Sequence, residues 1–132
     1  MTLTVKRDTS QPMRHSVRIG EHQLTVDGSV AEGGNADGPS PHDLYDAALA
    51  SCKALTVVWY ARRKAIPLTD VDVRLERDAS GERQGVYKLA VTLVLGGDLT
   101  QAQREELLAV AAKCPIHKLM TAVTTEITTE LG

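Results

Sequence analysis

Two cysteines, Cys52 and Cys114, stand 62 residues apart in this 132-residue chain and offer its most reactive side chains. Only a thiolate attacks, so a reactive cysteine needs a cation or unpaired backbone N–H groups to lower its pKa. Cys114 precedes Pro115 at an expected helix break, where such N–H groups are available. Cys52 lies inside an apolar helical run, where a free cysteine equally well reads as a small buried hydrophobe. Lys53 beside it points about 100° away around a helix. That leaves Arg14 or Arg18, from the N-terminal hairpins, as cations the fold has to bring. A disulfide between the two cysteines requires Cα atoms within about 7 Å.

His15, His22, His42 and His117 raise the question of a metal. Cys114 and His117 have i, i+3 spacing, but no C-x-x-C or H-x-x-x-H completes a tetrahedral set, and no metal is expected. No G-x-S-x-G elbow marks a serine nucleophile. The stretch Gly28–Ser40, GSVAEGGNADGPS, lacks the P-loop Lys-Ser/Thr pair and the G-x-G-x-x-G spacing, so phosphate binding is not expected.

The element that must position Cys52 is Pro41–Ala65, PHDLYDAALASCKALTVVWYARRKA. Ser40 is its expected N-cap, Pro41 its first residue and Asp43 a first-turn carboxylate, with Arg62, Arg63 and Lys64 in the last turn. Helical spacing places Tyr45, Ala48, Leu49, Cys52, Leu55, Thr56 and Trp59 on one stripe, which predicts a central helix buried along that face. Before it, Thr2–Arg7, His15–Ile19 and Gln23–Asp27 alternate as strands, the last two joined by a tight Gly20-Glu21 turn. Gly28–Ser40 reads as a mobile loop. After the helix, Val71–Arg77 alternates as a half-solvated strand, and Val86–Leu95 reads as a longer, more deeply buried one. Thr100 with Gln103 has the capping-box pattern for a second helix carrying Leu107, Leu108, Val110 and Ala111. Ile116–Ala122 is a short helix with Cys114 at its N-terminal edge. Val123–Leu131 alternates Val, Thr, Ile and Leu against Thr and Glu, and is expected to be a closing strand. The order is β-β-β-α-β-β-α-β: an α+β fold with mostly antiparallel sheet wrapped on two helices, in a single domain spanning 1–132.

Composition excludes several function classes. A formal net charge of −2 gives no electrostatic case for nucleic acid or an anionic membrane surface. One Trp, three Tyr and no Phe make a poor base-stacking platform. The longest apolar run is broken by Lys53 and falls short of the roughly 20 residues that span a bilayer. The N-terminus has no apolar signal region, so a cytoplasmic protein is expected. Two cysteines are too few for a secreted disulfide framework.

GPSPHDLYDAALASC, followed some sixty residues later by AAKCPIHKLM and a Thr/Glu-rich terminal segment, resembles the OsmC/Ohr family of thiol-dependent hydroperoxide reductases. The resemblance covers essentially the whole chain. Its most specific marks are the Ser-Pro helix start with a cysteine eleven residues after the proline, and the later Cys-Pro. It implies an intertwined homodimer with central helices buried under sheet from both subunits. It further implies Cys52 as the peroxidatic cysteine, oxidised to sulfenic acid by a small hydroperoxide, and Cys114 as the resolving cysteine. An external dithiol would reduce the disulfide, and no cofactor is required. An arginine of the first hairpin supports the thiolate in such proteins. Arg14 is the positional match, with Arg18 in reserve.

The chain departs from the organic-hydroperoxide type at one place. There a glutamate follows the helix-starting proline and holds that arginine, whereas this chain has His42. His42 is about 15 Å of helix away from Cys52, so it could act only through the arginine. Two functions follow: a thiol peroxidase of oxidative-stress defence, or a weakly active OsmC-like stress or binding protein with an apolar ligand pocket at the dimer interface.

Overall fold

Alternating apolar and polar side chains in the first 26 positions build three short antiparallel strands, β1 (Leu3–Arg7), β2 (His15–Ile19) and β3 (His22–Val26). This is a computed structural model that describes residues 1–132. Val5 faces Val17 across β1–β2, and Val17 faces Leu24 across β2–β3, so the apolar residues share one side. The β2–β3 turn is the expected Gly20-Glu21, with Gly20 at φ +60°, a conformation that L side chains rarely adopt.

The chain gathers into two compact units, Met1–Tyr45 and Asp46–Gly132. In the first, the glycine-rich stretch expected to be mobile is tied down around a buried carboxylate. Asp27 accepts backbone N–H bonds from Gly28, Asn35 and Asp37 at 2.8, 3.2 and 3.1 Å. Gly34 is required there: a Cβ on it would lie 2.2 Å from the Gly28 carbonyl oxygen. A 3-10 turn at Val30–Glu32 is closed by a capping box between Ser29 and Glu32.

Helix α1 (Pro41–Arg63) starts as its sequence predicts. Ser40 Oγ accepts the Asp43 N–H at 3.2 Å, and the Asp43 carboxylate accepts the Ser40 N–H at 3.0 Å. It ends two residues short of Ala65, which takes a left-handed conformation (φ +52°) while the Ile66 N–H reaches back to the Ala61 carbonyl at 2.9 Å. In the second unit β4 (Leu68–Asp78) pairs antiparallel with β5 (Lys88–Gly97), a two-stranded sheet separate from β1–β3. Helix α2 (Gln101–Ala111) opens with the predicted Thr100–Gln103 capping box, and α3 (Pro115–Thr121) follows at once. The core of this unit is Val57 and Ala61 of α1 against Leu107 and Ala111 of α2. Val71 of β4 and Leu93 and Leu95 of β5 pack over it. The fold is α+β with antiparallel sheets, as expected.

Three expectations are corrected. The buried face of α1 is Asp46, Leu49, Lys53, Val57 and Ala61, not the stripe centred on Cys52. Leu55 and Trp59 of that stripe are 71% and 59% exposed, and Tyr45 is also exposed. Spacing alone favoured the more apolar stripe, but the chain buries a neighbouring one because Asp46 and Lys53 find polar partners inside. Strand β5 is less buried than its composition implies, since Ala90 and Val94 are exposed on the opposite face from Leu93 and Leu95, which pack on the core. Finally, Val123–Leu131 forms no strand: the order is β-β-β-α-β-β-α-α. Alternation sets up a strand, but a strand also needs a neighbour to hydrogen-bond. None of the five strands pairs with this segment, and it is exposed throughout. No helix is long and apolar enough to cross a membrane.

Candidate active site

Rotating α1 so that Lys53 is buried leaves Cys52, its neighbour, at the edge of the core and half-buried. Cys114 is fully buried. Both are free thiols, and Cys52 lies close enough to Cys114 to raise the pKa of its thiol. Pro115 explains how Cys114 comes to be there. It disfavours helical geometry at the preceding residue, so Cys114 takes an extended conformation (φ −63°, ψ 148°) and becomes the N-cap of α3. In that position its Sγ accepts the His117 backbone N–H at 3.4 Å.

Lys53 is the cation of the site. Its side chain is 6% exposed, and Nζ donates to the Ala111 carbonyl at 2.9 Å and to Nδ1 of His117 at 3.0 Å. An ammonium can only donate, so Nδ1 of His117 is the acceptor and the ring proton sits on Nε2. Four influences then act on the Cys114 thiol. Burial pushes its pKa up, the His117 N–H bond pulls it down, the Cys52 thiol raises it and the Lys53 charge lowers it. The balance lies above the ordinary cysteine value.

An apolar cavity of about 240 Å³ opens beside this group, with Leu49, Leu89, Val91, Leu93 and Leu108 on its walls and Lys53 and His117 among its lining. Further along α1, the buried Asp46 carboxylate accepts from Tyr87 Oη at 2.7 Å and from Nε of Arg77. This contact ties α1 to β4 through Arg77 and to the residue just before β5 through Tyr87. No cluster of three or more His, Cys, Asp or Glu side chains forms a metal site.

Of the residues singled out from sequence, the structure brings Cys52 and Cys114 together. Arg14 is engaged within the first unit. Its guanidinium bonds Asp8 through Nη2 at 2.7 Å and Nε at 2.9 Å, and Asp37 through Nη1 at 3.2 Å. Arg18 is an exposed β2 residue opposite Thr4 and Gln23. His42 is exposed in the first turn of α1, and its charge helps hold Glu32 below the usual carboxylate range, after two bonds from Ser29. Sequence reasoning set Lys53 aside and weighed His117 only as a metal ligand. Lys53 lies four residues from both Leu49 and Val57, on the stripe that is buried, but spacing alone does not tell that stripe from its more apolar neighbour.

These features define an α+β protein with one thiol carried mid-helix and a second at the start of a later helix. The chain belongs to the OsmC-like protein family, whose model matches residues 33–130. No curated protein matches the chain. Among solved structures it is similar to an OsmC-like protein from Mycoplasma pneumoniae, at 18% identity and TM-score 0.73, covering 92% of this chain and 87% of that one. It is also similar to an organic hydroperoxide resistance protein OsmC from Legionella pneumophila, at 24% identity and TM-score 0.63, covering 92% and 90%. A third is the organic hydroperoxide resistance protein OhrB of Bacillus subtilis, at 21% identity and TM-score 0.59, again covering 92% and 90%.

Proposed function

We propose that this chain is a thiol-dependent hydroperoxide reductase of oxidative-stress defence. The observation that carries this reading is the pairing of a half-buried Cys52 with a buried Cys114. The Cys52 thiolate attacks the terminal oxygen of a hydroperoxide. The O–O bond breaks, the alkoxide leaves as an alcohol with a proton, and Cys52 becomes a sulfenic acid. The Cys114 sulfur then attacks the Cys52 sulfur, the S–O bond breaks and the oxygen departs as water, leaving a disulfide. An external dithiol restores both thiols. The descriptions of the Legionella and Bacillus proteins as organic hydroperoxide resistance proteins support the same chemistry.

The test mixes reduced protein with an alkyl hydroperoxide and follows peroxide loss together with intact mass. The expected result is stoichiometric loss of both thiols in the wild type and a mass two hydrogens lighter, with no peroxide loss in Cys52→Ser. Equal, slow consumption by both chains overturns the reading.

In this reading the working form is a homodimer. Leu55 and Trp59 on α1 and the unpaired segment Val123–Leu131 expose apolar surface that a second copy would cover. The cavity beside Lys53 favours one alternative, a stress-related binding protein that takes up an apolar ligand. An apolar molecule retained through purification, with sluggish peroxide loss, selects that alternative; rapid turnover rejects it.

A further inference from the structure

Lys53 is the one buried cation of the second unit, and nothing in the reaction just described assigns it a task. A lysine left in a helix core without a task would be expensive, because an ammonium is hard to desolvate. Here two acceptors hold it, the Ala111 carbonyl and Nδ1 of His117. Both lie on the segment that carries Cys114, three residues before it and three after. The ammonium therefore spans the turn whose centre is the buried thiol. Its charge acts on that thiol in the direction that favours the thiolate, while burial opposes it.

We infer that Lys53 is a positioning residue for Cys114: it holds the Ala111–His117 turn against α1 and stabilises the Cys114 thiolate as the disulfide with Cys52 closes. The inference rests on the peroxidase reading for its purpose, but not for its physics. During closure the Cys114 thiolate attacks the Cys52 sulfur, the S–O bond of the sulfenic acid breaks, and the departing oxygen takes the proton given up by Cys114 and leaves as water. Cys114 must lose its proton before the S–S bond forms, so a fixed cation beside it raises the fraction of thiolate available to attack. The groups facing Cys114 are Cys52 and Lys53 from α1 and His117 from α3. Strand β5 and helix α2 bring apolar side chains to the adjoining cavity, among them Leu89, Val91, Leu93 and Leu108. Lys53 is thus the fixed positive charge in the immediate surroundings. Arg14, the cation expected from sequence to serve Cys52, is bound to Asp8 and Asp37 in the first unit.

The test uses the full chain with Cys52→Ser, in which Cys114 is the sole thiol, and follows thiolate formation by its ultraviolet absorbance across a pH series. Expected is an upward move of the Cys114 midpoint by about one pH unit in Lys53→Gln and Lys53→Met, equivalent to about tenfold less thiolate at a given pH below it. Lys53→Arg should stay near the parent value, because it keeps the charge. Tertiary structure is checked by near-ultraviolet circular dichroism. An unmoved midpoint in either folded neutral variant overturns the inference. If neither neutral variant folds, Lys53→Arg decides: a midpoint at the parent value supports the role, and a rise overturns it. No peroxide enters the measurement. A failed peroxidase assay with a shifted midpoint therefore rejects only the proposed reaction, and the converse result rejects only the role of Lys53.

Discussion

Nζ of Lys53 lies 3.0 Å from Nδ1 of His117, across 64 residues of sequence and at the base of an apolar cavity. The contact fixes the imidazole tautomer and joins α1 to α3. It also sets the rotation of α1 about its axis. With Lys53 inward, Leu49, Val57 and Ala61 on the same stripe are inward too, and the neighbouring Cys52 is held at the margin of the core, where solvent and a second thiol both reach it.

Removing that contact should be felt in stability before activity is considered. Lys53→Ala leaves the Ala111 carbonyl and His117 Nδ1 without their donor and empties the space of a four-carbon stem. A loss of about 3 kcal/mol is expected. Lys53→Met keeps most of the stem volume and should lose less. Urea unfolding followed by circular dichroism gives both values. A Lys53→Ala midpoint equal to wild type would mean that the ammonium contributes nothing to the fold.

A second buried polar contact predicts behaviour at high pH. Tyr87 donates to Asp46, and burial, followed by that bond and the carboxylate charge, raises the Tyr87 pKa from 10.0 to about 12. Below pH 10.0 both folded and unfolded chains hold the phenolic proton, so the contribution to stability is complete. Between 10.0 and about 12 the unfolded chain releases it first, and stability falls as pH rises. Tyr87→Phe should flatten this alkaline slope. Denaturant midpoints measured across that range provide the check, and unchanged slopes in the variant would contradict the assignment.

Much of the architecture was legible because local signals and tertiary structure agree. Ser40-Pro41 with Asp43, Thr100 with Gln103, the Gly20-Glu21 turn and the Cys114-Pro115 break all act within a few residues, and each forms as its chemistry dictates. Two things were not legible, for different reasons. Which face of α1 is buried depends on whether Asp46 and Lys53 find partners 31 and 64 residues away, at Arg77 and His117. Helical spacing carries no information about that. The terminal segment has a strand's alternation, but alternation alone supplies no hydrogen-bonded neighbour, and none of the five strands pairs with it. The thiol pair was legible as two candidates; the cation beside it was not.

At low pH the first unit should respond through Asp8. Bonds from the Ser10 hydroxyl, then from Arg14, lower its pKa from 3.8 to about 2. Above 3.8 both states are ionised and the contribution is complete. As pH falls toward about 2 the unfolded chain takes up the proton first, and the hairpin unit loses that stabilisation. Asp8→Asn should therefore remove part of the acid slope and loosen Arg14 from its place. Proton NMR of the β1–β3 amides during an acid titration reports both, and identical titrations for the two chains would rule it out.

The outward face of α1 bears on assembly. Leu55 and Trp59 expose 71% and 59% of their surface on a helix whose opposite face is closely packed. If a second copy covers this face, as proposed above, sedimentation should give twice the chain mass of 14.2 kDa. Leu55→Glu combined with Trp59→Glu would place two like charges from each copy into an apolar contact. Burying an unpaired carboxylate is costly enough that dissociation to the chain mass is expected. The fold within each copy should persist, because neither residue belongs to the Val57–Leu107 core. A wild-type chain already at 14.2 kDa in dilute solution would refute the dimer, and a double variant that stays at twice that mass would move the contact off α1. The distinction matters for the chemistry as well. Cys52 lies between the buried Lys53 stripe and this exposed one, so a partner seated on Leu55 and Trp59 would further limit how a hydroperoxide approaches its sulfur.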